Sequence, residues 1–189
     1  MTLRKKTLAA IGVTLVVLVA LLETTARQIL RRSFGHLETE SVQRDVQRAV
    51  NALQNVIAGL NSKAGDWSNW DDTYEAVETG DPAYEASNLT ATAFVDLQVH
   101  LIVIVNTRGE LVYGKFYDFR SGAPRAPAAI FQQQVPPGDE LLQPMHTGEG
   151  IAGIRMLPEG PLMFAARPIL TSAGTGPPRG TLIMGRFLD

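Results

Sequence analysis

The sequence of 189 residues contains no cysteine. That absence excludes disulfide frameworks, thiol catalysis and cysteine-based zinc or iron–sulfur sites. The three histidines lie far apart and in no spacing typical of metal ligands. A glycine-rich phosphate loop and a nucleophilic serine elbow are also missing. We therefore expect a chain that is not an enzyme and that needs no cofactor or metal.

Positive charge is scarce in one long stretch. The whole chain is nearly balanced, with 17 Lys and Arg against 19 Asp and Glu. This balance, without a clustered basic face, argues against a nucleic-acid partner. Between Lys63 and Arg108, however, there is no Lys or Arg. The acids in that gap are Asp66, Asp71, Asp72, Glu75, Glu78, Asp81, Glu85 and Asp96. A solvated acidic surface is the simplest interpretation of most of them.

A long uncharged run is present at the amino terminus. Residues 7–22 carry no charge and directly follow Arg4, Lys5 and Lys6. As a helix the run would extend about 24 Å, less than the ~30 Å hydrocarbon core, and flanking basic side chains could extend its reach. We expect a single membrane span that acts as a signal anchor, with a cleaved signal peptide or a buried helix as alternatives.

The remainder of the chain is expected outside the cytoplasm, because long downstream domains are exported largely regardless of flanking charge. Residues 1–22 hold three of the basic residues and none of the acids, so residues 23–189 have a net charge of −5. We divide the chain into an anchor (1–22), a juxtamembrane signalling helix (23–63) and a sensory domain (64–189). The expected location is the bacterial inner membrane, with the sensory domain in the periplasm.

An apolar stripe recurs every three or four residues in the second segment, which predicts a helix. The stripe consists of Val42, Val46, Val50, Leu53, Ile57 and Leu60. Heptad-like spacing of this kind suits a homodimer in which two helices pack together. Packing against the chain's own domain explains the stripe equally well.

Beyond the helix, the apolar pattern changes to that of strands. Five apolar segments separated by turn residues predict five mostly antiparallel strands, at 101–105, 111–117, 151–157, 162–167 and 180–188. Residues 118–149 carry five prolines and are interpreted as loop, with one short helix near 127–133. One long helix, a helical insert near 64–89 and these strands predict an α+β fold.

Both tryptophans of the chain lie in residues 66–74, together with three carboxylates and a tyrosine. If the segment is one helix capped by Asp66, then Trp67, Trp70 and Tyr74 share a face. Such a face could lock the helix against the sheet. Alternatively, aromatic rings with carboxylates can line a pocket for a ligand.

These motifs resemble the fourth CHASE family of extracellular sensory domains over roughly residues 40–189. The resemblance rests on Asp66-Trp-x-x-Trp-Asp-Asp-x-Tyr74, Tyr84-x-x-x-Asn88-Leu, Asn106-x-x-Gly109, Gly150-Ile-x-Gly, Ala166-Arg-Pro-Ile and Gly180-Thr-Leu-Ile-Met-Gly-Arg. It implies a long first helix on a Cache/PAS-like antiparallel sheet. It also implies a second membrane span before a cytoplasmic cyclase, phosphodiesterase or kinase. This sequence stops at Asp189 without either, so we expect a receptor fragment or the partner of a longer receptor.

The expected function is ligand sensing outside the cytoplasm, with a helix displacement passed through the membrane to an output absent from this chain. A membrane-anchored dimerisation module that senses nothing is the alternative. The ligand is an unknown small molecule. Its candidate contacts, inferred from side-chain chemistry, are Trp67, Trp70, Asp71, Asp72, Tyr74, Asn88, Tyr113 and Arg167.

Overall fold

A computed structural model describes residues 3–125, 131 and 134–188, without the side chains of residues 3, 6, 7, 9, 10, 29–41 and 125. The chain divides into two compact units, 1–52 and 53–189. Helix α1 (Leu3–Ser68) begins in the first unit and ends in the second.

The first unit is helical and contains one apolar stretch suited to a membrane. Ile11–Gln28 has a mean hydropathy of 1.5, and none of it is buried. Its length and composition would allow it to span a bilayer, a property that it shares with signal sequences near an amino terminus. Val42, Val46 and Val50 are also exposed.

Three short helices follow α1 in the second unit: α2 (Asp71–Thr79), α3 (Pro82–Asn88) and α4 (Ala91–Leu97). Gly80 ends α2 in the left-handed conformation, with φ of 63°, which glycine adopts without strain. Asp81 then caps α3 by accepting a 2.9 Å hydrogen bond from the Ala83 N–H, and Thr90 caps α4 in the same way. Local turn and cap chemistry therefore separates the helices.

Among the described residues, the sheet has six antiparallel strands in the order β3-β2-β1-β6-β5-β4. Their bounds are β1 Leu101–Asn106, β2 Leu111–Asp118, β3 Ala123–Arg125, β4 Ile151–Leu157, β5 Gly160–Pro168 and β6 Gly180–Phe187. The α+β prediction is confirmed, with one strand more than expected. Strand β3 pairs with β2 inside the stretch interpreted as loop.

The loop interpretation of 118–149 was also wrong near its end, and the short helix expected near 127–133 falls largely outside the described residues. A 3-10 turn (Glu140–Leu142) leads into α5 (Gln143–Thr147), and Leu141 and Leu142 are buried. Asp139 caps the turn by accepting a hydrogen bond from the Leu141 N–H. Proline density hid this short element, because Pro144 fits the first turn of a helix as well as it fits a loop.

Both faces of the sheet are covered, so β1 is buried on each side. Ile102 and Ile104 face a core built with α1 to α4, while Leu101, Val103 and Val105 face a second core built with the 131–145 segment. A strand covered on both faces carries a continuous apolar run instead of an alternating pattern. This explains the sequence Leu-Ile-Val-Ile-Val in β1.

The apolar stripe of α1 is divided between two environments. Leu60 is buried in the core of the second unit, and Leu53 and Ile57 pack against that core. Val42 and Val46 are each 57% exposed. Leu53, Ile57 and Leu60 thus pack within the domain itself. A dimer contact would use Val42, Val46 and Val50.

Candidate functional site

A polar cavity of about 430 Å³ lies where the end of α1 meets the sheet. Its lining residues are Asn61, Ser62, Gly65, Asp66, Asn69 and Arg167. All of them except Asn69, which directly follows α1, and Arg167 belong to α1, and Arg167 comes from β5. The cavity therefore lies between the long helix and strand β5.

The α1 side of the cavity follows from helical periodicity. Asn61, Gly65 and Asn69 are four residues apart, so the two asparagine side chains and the bare Gly65 backbone lie on one face. Leu60 and Ala64, one position earlier, are buried in the core. The rotation of about 100° per residue places the polar row beside the buried row. Packing of the apolar row thus fixes the polar row at the cavity.

Arg167 runs between two glycines. A methyl group on Gly65 would lie 3.4 Å from Arg167 Nη2, and one on Gly150 would lie 2.5 Å from Nη1 and 2.9 Å from Nε. The second pair of distances is too short for real atoms, so a side chain at residue 150 would displace the guanidinium. Because it passes between two bare backbones, the group has little freedom to turn away.

Two buried polar atoms at the cavity have no hydrogen-bond partner. They are Nε of Arg167, a donor, and Oδ1 of Asn61, an acceptor. Within residues 3–125 and 134–188, no carboxylate forms an ion pair with Arg167. Burying a polar group without a partner costs about 1–3 kcal/mol. The residues that line the cavity thus include one unpaired donor and one unpaired acceptor.

Asp71 and Tyr74 lie elsewhere, in contacts between α2 and the loop that joins β5 to β6. The Asp71 carboxylate accepts a 2.9 Å hydrogen bond from the Ser172 N–H, and the Ser172 hydroxyl accepts one from the Asp71 N–H. The bonds from Ser172 hold the pKa of Asp71 below its usual range. Arg179 lies over the Tyr74 ring at 3.8 Å and pairs with Glu78. We call these five residues the α2 clasp.

Asp72 and Asn88 line a second cavity of about 340 Å³, between α2 and α3. Glu75 and Asp81 also border it. The Asn88 amide group donates to the Tyr84 carbonyl oxygen within its own helix. Among the described residues, no group of three or more acidic or histidine side chains is arranged to hold a metal ion.

The remaining three candidates take part in aromatic packing. Trp67 and Trp70 meet edge to face with ring centres 6.3 Å apart, and Trp67 packs on the core. Tyr113 is buried beside Tyr84, and its hydroxyl donates to the carbonyl oxygens of Ala76 and Asp81. Burial raises the pKa of Tyr113.

Residues 66–74 do not form one helix capped by Asp66. Asp66 lies inside α1, which ends at Ser68, and Trp70 is the residue that precedes α2. The eight candidates are therefore dispersed, and of these eight only Arg167 lines the cavity at α1. Asn61, Ser62, Gly65, Asp66, Asn69 and Gly150 were missed as site residues. The four-residue spacing of Asn61, Gly65 and Asn69 was the available signal.

A model of the CHASE4 domain matches residues 52–189, which include the sheet, the cavity and the α2 clasp. The chain belongs to the CHASE4 family. The resemblance drawn from the sequence motifs is confirmed. The matched segment begins within one residue of the second compact unit, so the CHASE4 domain and that unit coincide.

A curated relative is the methanogenesis regulatory histidine kinase FilI of Methanothrix harundinacea (strain 6Ac). It is 30% identical over all 189 residues, and the chain spans 21% of its length. The extracellular domain of vpHK1S-Z8 superposes with a TM-score of 0.59 and 13% identity, over 79% of this chain and 58% of that one. The sensor domain of E. coli DcuS superposes with a TM-score of 0.52 and 12% identity, over 71% of this chain and 90% of that one. The CHASE4 domain thus has a PAS/Cache-like fold.

Proposed function

We propose that this chain is the extracytoplasmic ligand-sensing part of a membrane-anchored receptor, and that the ligand binds in the cavity at Arg167. The observation that carries the proposal is that two residues lining one polar cavity, Arg167 and Asn61, each bury a polar atom without a partner, Nε and Oδ1. The proposed anchor is the apolar stretch Ile11–Gln28 of α1. The proposed location is the inner membrane, with the domain in the periplasm. The CHASE4 family and its extracellular relatives support this orientation.

The position of the cavity suggests how binding would be transmitted. A ligand that bonds both Arg167 on β5 and Asn61 on α1 ties the sheet to the helix that also contains the apolar stretch. Such a ligand can shift α1 only if it binds one position of the helix more tightly than another. Contacts on two separate elements provide that difference in affinity.

The output would lie in a longer protein. FilI is named a histidine kinase, and this chain matches about a fifth of it. By analogy we propose a kinase- or cyclase-type output on the cytoplasmic side. Among the eight candidate residues the proposal uses Arg167, and ligand contact by the other seven stays a prediction.

The proposal is tested by thermal unfolding of the full chain in lipid nanodiscs against a library of small polar metabolites. We expect at least one compound to raise the melting temperature of the wild type and to lose this effect in Arg167→Gln. The control is Arg120→Gln, which removes the same charge from an exposed turn. A library without any stabilising compound, or stabilisation that survives in Arg167→Gln, would contradict the proposal.

We further propose a homodimer contact through Val42, Val46 and Val50. These three apolar side chains are exposed on successive turns of α1, whereas Leu60, on the same stripe, is buried. Exposed valines with heptad-like spacing favour a two-helix contact. A dimer would also place two α1 helices side by side at the membrane.

The dimer is tested by measuring the mass of the full chain in nanodiscs or detergent. Val46→Asp is expected to give a folded monomer, because a charge at the contact would be buried without a partner. Leu60→Asp is the contrasting variant, since it should unfold the domain. A wild-type monomer, or a Val46→Asp dimer, would refute the contact.

A further inference from the structure

We propose that the cavity at Arg167 takes a small zwitterion that carries a carboxylate and an ammonium group, as an α-amino acid does. This inference rests on the proposed function and adds the chemical class of the ligand. It follows from the charges of the lining and from the two buried atoms without partners.

The carboxylate half is assigned to Arg167. A guanidinium binds a carboxylate best through two parallel N–H groups, and the Nε–Nη2 edge offers such a pair. Nε is buried and has no partner, and the group packs closely against the backbones of Gly65 and Gly150. A group fixed before binding loses little entropy when the ligand arrives. The edge is therefore already arranged for a carboxylate.

The ammonium half is assigned to the acceptors on α1. Oδ1 of Asn61 is buried and unpartnered, and it can bond only a ligand that donates N–H or O–H. Asp66 adds a carboxylate to the same cavity, in the last turn of α1. Negative charge at the end of a helix is unfavourable, since the helix dipole is negative there. Both the dipole and Asp66 therefore favour a positive group over a neutral hydroxyl.

The charge balance decides between anionic and zwitterionic ligands. Arg167 and Asp66 are the charged residues of the lining, and their charges cancel. A phosphate or a dicarboxylate would bring two negative charges next to Asp66, with one guanidinium to offset them. A zwitterion places one charge against each residue and leaves the cavity neutral. Its volume of about 430 Å³ lies in the range of small-ligand sites.

The experiment is titration calorimetry on the full chain in nanodiscs with each standard L-α-amino acid. The strongest binder is then compared with two analogues, one without the amino group and one without the carboxylate. We expect each deletion to weaken binding at least about 10-fold, as a lost hydrogen bond to a charged group does. Inorganic phosphate and succinate are titrated alongside.

Two variants assign the halves to residues. Arg167→Gln is expected to weaken binding of the amino acid about 10-fold and to bind the analogue without a carboxylate equally well. Asp66→Asn is expected to weaken binding by a similar factor and to bind the analogue without an amino group equally well. The controls are Arg120→Gln and Asp96→Asn, which remove the same charges from exposed positions. Asp66 is exposed, so Asp66→Asn is expected to keep the fold. It therefore still tests the ligand class if Arg167→Gln unfolds the domain.

The outcomes separate this inference from the proposed function. Arg167-dependent binding of an amino acid, weakened in both analogues, supports the zwitterion. Binding of phosphate, succinate or another metabolite without an ammonium group, lost in Arg167→Gln, overturns the ligand class and leaves the sensory site intact. Failure of every amino acid and every metabolite to bind overturns both.

Discussion

Two glycines determine the path of the Arg167 side chain. Gly150 precedes β4, and no side chain fits there while the guanidinium keeps its place. Gly65 plays the same part on α1 with less restriction. The need for glycine at residue 150 is therefore a need for space rather than for an unusual backbone conformation.

We predict that Gly150→Ala moves Arg167 out of the cavity. The added methyl group would occupy the space of Nη1 and Nε, and the flexible side chain would yield, at a cost of about 1 kcal/mol. The measurement is the NMR signal of the Arg167 Nε–H, whose exchange with water should be slow in the wild type and fast in the variant. Urea unfolding gives the free-energy change.

Gly153→Ala is the matched control, because a methyl group there would meet only the Phe164 ring at 3.7 Å. It should leave the Arg167 signal unchanged. An unaltered signal in Gly150→Ala would refute the assigned path.

A partly buried ion pair fixes the 3-10 turn to β4. Both oxygens of Asp139 accept hydrogen bonds from the Arg155 guanidinium, at 2.7 and 2.8 Å. The Asp139 side chain is 10% exposed. The Arg155 bonds hold the pKa of Asp139 below its usual range. The turn carries Leu141 and Leu142 into the second core, so this pair stabilises one face of the sheet.

We predict an acid-dependent loss of stability from this pair. Because the pKa of Asp139 is lower in the folded than in the unfolded chain, its contribution is complete above about pH 4. It disappears as the pH falls through the lowered folded value. At neutral pH, Asp139→Asn should cost about 1.5–3 kcal/mol. Urea unfolding of wild type and variant from neutral to acidic pH measures the difference.

The difference in free energy of unfolding between the wild type and Asp139→Asn should become smaller as the solution is acidified. Glu159→Gln, in an exposed turn, is the control and should show no such gap. A gap that stays constant with pH would contradict the assignment.

The α2 clasp stabilises helix α2 through contacts with a segment that is distant in the sequence. The Trp70 side chain, directly before α2, forms no capping bond to it. The β5–β6 loop, a hundred residues further along, supplies the partners of Asp71 and Tyr74. A helix of nine residues is marginal by itself, so its stability comes from these contacts and from packing.

We predict that Arg179→Gln loosens the clasp without unfolding the domain. The variant loses the stacking on Tyr74 and the partly exposed ion pair with Glu78, together worth about 1 kcal/mol. Hydrogen exchange should accelerate in α2 and in residues 171–179 and should be unchanged in β1.

Arg179→Lys provides the comparison for the shape of the group. It keeps the charge and loses the planar stacking, so we expect an intermediate effect. Exchange rates equal to those of the wild type in both variants would show that the clasp contributes nothing.

At the scale of the whole molecule, the orientation in the membrane can be tested directly, because the chain has no cysteine. We predict that Glu159→Cys, in the exposed turn between β4 and β5, reacts with a membrane-impermeant maleimide in intact cells. Thr2→Cys, on the opposite side of the apolar stretch, should react only after lysis. Labelling of the second position alone in intact cells would reverse the proposed orientation.

The sequence alone determined the features that depend on local pattern. The step of three or four in α1, the apolar runs of the strands and the glycine turns predicted an α+β fold, and the Trp-Asp-Asp motif carried the family. The apolar run of residues 7–22 pointed to the same helix as Ile11–Gln28. Hydrophobic period and turn chemistry are encoded within a few residues, so they can be recognised without a structure.

Only the tertiary structure decided which side chains meet. Arg167 is separated from Asn61 by more than a hundred residues, and no spacing in the sequence relates them. Asp71, a carboxylate like Asp66, accepts a hydrogen bond from Ser172 and lies away from the cavity. The division of the apolar stripe also depended on where the sheet covers α1. A binding site is made by pairing between distant segments, and the positions of those segments are set by packing of the whole core.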